Sequence, residues 1–212
     1  MELFYSLMLD HPVPSFFLIV ERMQNRLLNA FNSSFEIRCL YSYISHQTPS
    51  HQMFAIFFCQ IFIDNQDDIA IVLCGSETTK NSLFKGKQQY QNINVLCELS
   101  KVDWKLAEMV KEEIKTTSCC GDWVDALAIA LDIIRMAIEV GTEYEKTQIV
   151  LFSPFESPFM TSNATESAYV NAIIKEKTEL LVISSNLDGG SKSLTDGGKV
   201  ALRLIEQVRI TK

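Results

Sequence analysis

The sequence predicts an α/β domain built on a doubly wound, mostly parallel sheet flanked by helices. Three observations point there. Short runs rich in β-branched and apolar residues (Ile69–Cys74, Ile93–Leu99, Gln148–Phe152 and Leu180–Ser184) read as strands covered on both faces. Segments with apolar residues at helical spacing alternate with these runs. The 212 residues are 47% hydrophobic and 21% charged, which supplies a sizeable core and excludes wholesale disorder.

The elements follow in order. Residues 1–50 form a divergent N-terminal segment and are the least regular. Phe4–Leu9 fits a first strand that ends at Asp10. Phe16, Ile19, Val20, Met23, Leu27 and Phe31 recur at helical spacing, and Phe35–Tyr43 alternates as a strand does. From residue 51 to 212 the chain reads as one α/β domain. Met53–Ile63 is apolar on all sides and fits a buried helix or a strand; its length does not decide between them. Asp64–Asp67 is a polar turn before the strand Ile69–Cys74, which stops at Gly75. Ser76–Gln89 is polar and reads as an exposed loop. After the strand Ile93–Leu99, Asp103 is a suitable N-cap for a helix carrying Trp104, Ala107, Val110 and Ile114. Gly121-Asp122 opens the longest helix, Trp123 to about Val140, with Gly141 as its stop. Its polar residues Asp125, Asp132 and Glu139 fall on one stripe with Arg135, which reads as a solvated edge. A helix over Glu166–Lys177 and a terminal helix over Val200–Val208 complete the pattern.

Composition narrows the function. The net charge of −7 argues against tight binding of nucleic acid by this surface alone. The six cysteines, Cys39, Cys59, Cys74, Cys97, Cys119 and Cys120, include no C-x-x-C spacing and read as free thiols of a reducing compartment. The N-terminus has no basic n-region, and the 11 residues Met53–Ile63 fall short of the ~20 a membrane span needs. No membrane partner is expected. The sequons at Asn32 and Asn163 carry no weight without secretion.

No motif for catalysis is complete. A phosphate loop needs glycines followed by Lys-Ser/Thr, but Gly86-Lys87 is followed by Gln88, and Gly198-Lys199 by Val200. Neither G-x-G-x-x-G nor G-x-S-x-G occurs. His11, His46 and His51 lack metal-ligand spacing. Lys80, Lys85 and Lys87 read as a solvated loop rather than a phosphate site. The residues therefore nominate no catalytic group, no cofactor and no metal.

Four segments, however, resemble a known family. Asp67–Leu83, Gln89–Leu99, Gly121–Ile134 and Tyr144–Ser153 occur in the order seen in the N-terminal von Willebrand A-like, Rossmann-type domain of large Ku subunits. The specific words are QYQNI (Gln89–Ile93) and the helix start DWVDAL (Asp122–Leu127). The match runs from about residue 51 to 155, with a looser continuation through Leu180–Ser184, and residues 16–50 match nothing in the family.

The resemblance implies a protein-interaction domain acting in the nucleus, within a heterodimer with the small Ku subunit. Such complexes bind duplex DNA ends in non-homologous end joining and telomere maintenance. The family's DNA-encircling β-barrel follows this domain, so this chain, ending at Lys212, is not expected to thread onto DNA alone. The family has also been labelled a subunit of an ATP-dependent helicase, for which no Walker motif is visible here. Metal-binding von Willebrand A domains use Asp-x-Ser-x-Ser after the first strand. Here Asp10 is followed by His11-Pro12-Val13-Pro14-Ser15, and Ser153-Pro154 follows the third strand of the match, so no metal is expected. The resemblance places Leu83 and Tyr90 in an apolar pocket that accepts short Ku-binding peptides of repair factors, with Lys85 and Lys87 at its rim. Two other classes remain as alternatives: a metal-dependent adhesion module, and a nucleotide-binding enzyme on a Rossmann-like sheet.

Overall fold

A computed structural model describes residues 16–23, 68–86, 89–113, 117, 119–141, 146–153, 155, 159, 163–183 and 195–210. In chain order these form β1 (Phe16–Met23), β2 (Asp68–Cys74), β3 (Ile93–Lys101), α1 (Trp104–Glu113), α2 (Trp123–Glu139), β4 (Lys146–Phe152), α3 (Asn163–Lys175), β5 (Thr178–Ile183) and α4 (Asp196–Ile210). The strands make one five-stranded sheet in the order β3-β2-β1-β4-β5.

The α/β class holds, and β4 pairs parallel to β5. Together with β2 these strands share one direction. The departure from expectation lies in β1 and β3. β3 runs antiparallel to β2, because residues 75–92 double back without a crossover helix. β1 runs antiparallel to both β2 and β4, with Phe17 opposite Leu73 on one side and Phe152 on the other. The spacing of Phe16, Ile19, Val20 and Met23 suggested a helix; they form this central strand instead. Phe16–Val20 is an unbroken apolar run in which four of five residues are aromatic or β-branched, which favours strand locally. It also satisfies two rows of backbone N–H and C=O groups that β2 and β4 would otherwise leave unpaired. Leu27 and Phe31, the strands expected over Phe4–Leu9 and Phe35–Tyr43, and the run Met53–Ile63 lie outside the described residues.

Strand alternation sends side chains to two cores. Ala70, Val72 and Cys74 of β2 face the larger one with Ile93, Val95, Ile149, Leu151 and Val182, under α2, α3 and α4. Ile69, Ile71 and Leu73 face the other side, where Val150 and the α1 residues Leu106, Ala107 and Val110 meet them. The sheet is thus covered on both faces, as its apolar strands require. α1 begins where expected: Asp103 Oδ1 accepts from the Leu106 amide at 2.7 Å. Trp104, expected on its buried face, is half-exposed, and Leu106 joins Ala107 and Val110 on that face instead.

α2 carries the centre of the larger core. Nine of its 17 residues are buried, among them Leu127, Ile129, Ala130 and Ile134. Asp122 caps it, accepting from the Val124 amide at 2.8 Å, and Gly141 ends it at φ +87, donating to Ile138. Leu127→Ala should cost about 2–5 kcal/mol, the range for a cavity in a packed core.

The start of α4 presses on the segment after β4. A Cβ placed on Gly197 would lie 2.9 Å from the Phe155 carbonyl oxygen and 3.2 Å from Phe155 Cβ. Phe155 sits at φ +55 with its amide N–H donating to Ser153 Oγ, and its ring stands edge-on to Trp123 at 5.1 Å. Gly197→Ala should therefore lower stability by about 1–3 kcal/mol despite alanine's better helix propensity. A urea midpoint that rises would show that the segment yields freely.

Candidate peptide-docking site

The candidate surface is the connection between β2 and β3, laid against α2. Sequence reading treats it as an exposed loop; the structure shows a tied one. Asn81 is its first knot. Its side-chain amide donates to the Tyr90 and Ile93 carbonyls at 3.1 and 2.9 Å, and its Oδ1 accepts from the Phe84 amide at 2.9 Å. Lys80 adds a short parallel bridge to β3, donating to Ile93 at 3.1 Å and accepting from Val95 at 2.7 Å.

Asn92 is the second knot. It sits at φ +59, a conformation asparagine tolerates better than most residues. Its carbonyl accepts from the Gly75 and Ser76 amides at 2.8 and 2.9 Å, and its amide donates to Thr79 Oγ1 at 2.9 Å. Its side chain donates to the Cys120 carbonyl at 3.0 Å, joining the loop to the segment that leads into α2.

The acidic stripe of α2 completes the attachment. Asp125 Oδ2 accepts from the Tyr90 amide at 2.9 Å, and Asp132 Oδ2 accepts from Ser82 Oγ at 2.8 Å. The stripe is thus more than a solvated edge: two of its carboxylates hold the loop. Arg135 pairs with Asp132, whose carboxylate is largely covered, at 2.7 Å, and lies 3.7 Å from the exposed Glu139, a surface pair that adds little stability.

Leu83 and Tyr90 lie on the two arms of this connection. Both are partly buried and pack against the larger core. Tyr90 is held at φ +62, which fixes where its ring leaves the backbone. Lys85 is exposed at the loop tip beside Gly86 (φ +72). Lys87 lies outside the described residues. Sequence reading missed Asn81, Asn92 and Tyr169, the last a half-buried residue of α3 on the same core. Asparagines in a polar loop are unremarkable in sequence; only the positive φ of Asn92 and the hydrogen-bond partners of both reveal the role.

The site is electrostatically biased. Burial raises the Tyr90 phenol above its ordinary 10.0, and the Asp125 and Asp132 carboxylates raise it further. Burial also raises Tyr169, followed by Tyr90, Asp125 and Asp122. Beneath the loop, burial raises the Cys74 thiol, with Asp122 and Asp125 adding to it; burial pushes Cys97 up to about 11. All four groups hold their protons more tightly folded than unfolded. The stability they contribute is complete below the ordinary thiol value of 9.0 and is lost as pH rises through the folded values. Melting temperature should therefore fall steadily above about pH 9, and Tyr169→Phe with Cys97→Ala should flatten that fall. An alkaline limb unchanged in the double variant would contradict the assignment.

Other sequence candidates take structural roles. Lys199, beside Gly198, pairs with Asp196 at 2.8 Å at the start of α4. Ser153 accepts the Phe155 amide, and Asp10 to Ser15 lie outside the described residues. Among the described residues, no three His, Cys, Asp or Glu side chains gather to hold a metal ion, and no helix is long and apolar enough to cross a membrane.

Comparison with known proteins fits this arrangement. X-ray repair cross-complementing protein 5 of Xenopus laevis is 35% identical over 100 residues, which cover 47% of this chain and 14% of that protein. ATP-dependent DNA helicase 2 subunit KU80 of Arabidopsis thaliana is 28% identical over 139 residues, covering 61% of this chain and 20% of that protein. The chain thus matches a fifth or less of each relative's length. Residues 52–192, two thirds of the chain, match the family described as the Ku70/Ku80 N-terminal alpha/beta domain. That span holds β2 to β5, the tied loop and the acidic face of α2, and on it the chain belongs to the Ku70/Ku80 N-terminal alpha/beta domain family.

Proposed function

We propose that this chain supplies the protein-docking α/β domain of a large-Ku-like subunit. It acts in the nucleus, within a heterodimer with the small Ku subunit that binds duplex DNA ends for non-homologous end joining and telomere maintenance. Residues 51–212 are the docking unit, and residues 1–50 contribute the central strand. The occupant of the surface is a short peptide from a repair factor. Its apolar anchor packs on Leu83 and Tyr90, and its basic flank faces Asp125 and Asp132; Lys85 and Lys87 are the rim residues that the family resemblance implies.

One observation carries this reading. Leu83 and Tyr90, partly buried on a mostly polar loop, are flanked by hydrogen bonds to carboxylates of α2. Rigid, partly buried apolar anchors ringed by polar groups are what peptide recognition uses. The net charge of −7 supports assigning duplex contact to the complete complex.

The test is DNA-end binding by the purified chain, alone and co-expressed with the small Ku subunit, with linear duplex as probe and closed circles as competitor. End binding only with the partner present, unaffected by circles, is the expected result. Equal competition by circles, or end preference by the chain alone, would overturn the assignment of duplex contact.

A further inference from the structure

Cys119 and Cys120 are adjacent free thiols, one half-buried and one exposed. They stand between two fixed points. On one side, Thr117 Oγ1 donates to the Gly75 carbonyl and accepts from the Cys119 amide at 3.3 Å. On the other, Gly121 is buried against the Cys74–Gly75 turn, and a Cβ there would overlap the Gly75 amide nitrogen. Between them, the Cys120 carbonyl receives the Asn92 side chain at 3.0 Å. A change at this pair therefore acts on the knot that closes the β2–β3 connection.

We propose that Cys119-Cys120 is a reversible modification site for low-molecular-weight disulfides such as oxidised glutathione, and that closing it into a vicinal disulfide unties Asn92. The exposed Cys120 thiolate attacks the glutathione disulfide, forming a mixed disulfide and releasing one glutathione thiol. The Cys119 thiolate then displaces the second glutathione. Two protein thiols lose two electrons and two protons, and one glutathione disulfide becomes two thiols.

The geometry makes this bond labile. Adjacent Cα atoms across a trans peptide stand about 3.8 Å apart, under the roughly 4.4–6.8 Å that an unstrained disulfide spans. Ring closure must twist the Cys119–Cys120 peptide and turn the Cys120 Cα, from which the carbonyl bonded to Asn92 extends into the next peptide. Strained, exposed disulfides are the readily reduced, regulatory kind. The neighbouring thiols do not compete: burial raises both Cys74 and Cys97, which keeps them protonated and slow to react.

This inference deepens the docking reading but is tested without a peptide. The full chain is equilibrated in glutathione buffers of graded ratio, then analysed by peptide mass mapping and amide hydrogen exchange. A two-electron transition at Cys119-Cys120 is expected, with exchange at Gly75 and Ser76 at least tenfold faster in the oxidised form and restored by dithiothreitol. Cys119→Ser should stop the reaction at a glutathione adduct on Cys120, and Cys120→Ser should abolish the effect on exchange. A persistent adduct in the unaltered chain, a disulfide to another cysteine or between copies, or a vicinal disulfide with unchanged exchange would each overturn the proposal.

Discussion

Gly121→Ala is expected to be the most damaging single-atom change in this chain. The added methyl would meet the Gly75 backbone nitrogen and lie 2.5 Å from Cys74 Sγ. Neither neighbour can step aside. Gly75 N donates to the Asn92 carbonyl at 2.8 Å, and Cys74 is the buried last residue of β2. Relief requires moving the start of α2 away from the sheet, which opens the core around Leu127 and Ala130. Overpacking costs typically about 1–3 kcal/mol, and the rigid backbone on one side puts this site at about 3 kcal/mol. That is a large share of the stability of an ordinary domain. Urea unfolding should show a midpoint lowered at unchanged slope. A midpoint within error of the parent would mean that α2 does not sit where the sheet places it.

Leu83→Arg is expected to have the largest effect on binding while sparing the fold. Leu83 is only partly buried, so a long side chain can turn outward along the surface at a small cost. In a complex, its replacement removes the apolar anchor site and sets a positive charge against a basic peptide. Truncating a central anchor costs about 2 kcal/mol or more, roughly thirtyfold in Kd. Tyr90→Ala should act similarly, and Tyr90→Phe should be mild because the ring remains. Asp132→Asn should weaken binding severalfold, with the difference shrinking as salt screens the remaining attraction. Titration calorimetry with a peptide carrying one large apolar residue flanked by arginines would separate these effects. Leu83→Arg binding with parental affinity would remove the pocket from consideration.

Much of the fold was legible because its strands are simple. Ile69–Cys74 and Gln148–Phe152 are short apolar runs that only a doubly covered sheet can bury, and both were found within two residues of their observed ends. Asp103, Asp122 and Gly141 marked helix ends because capping chemistry is local. β1 was not legible. Its residues fit a helical stripe and a strand run alike, and its central place depends on partners 46 to 135 positions away. Its direction depends on the topology of the whole sheet.

The site divides in the same way. Leu83 and Tyr90 stood out as apolar residues on a polar loop. The bonds that position them, from Asn81, Asn92, Asp125 and Asp132, link residues up to 50 apart, with nothing local to announce them. The stripe on α2 looked solvated because periodicity reports which face a residue is on, not what lies against it.

The docking surface itself is tested most directly by mapping backbone amide shifts as the same arginine-flanked peptide is titrated into the chain. Shifts should concentrate at Asn81–Gly86, Gln89–Asn92 and the Asp125–Asp132 face of α2, and should vanish with Leu83→Arg. Shifts centred on α4 or the β5 edge, or saturable binding that survives Leu83→Arg, would contradict a docking role for the tied loop.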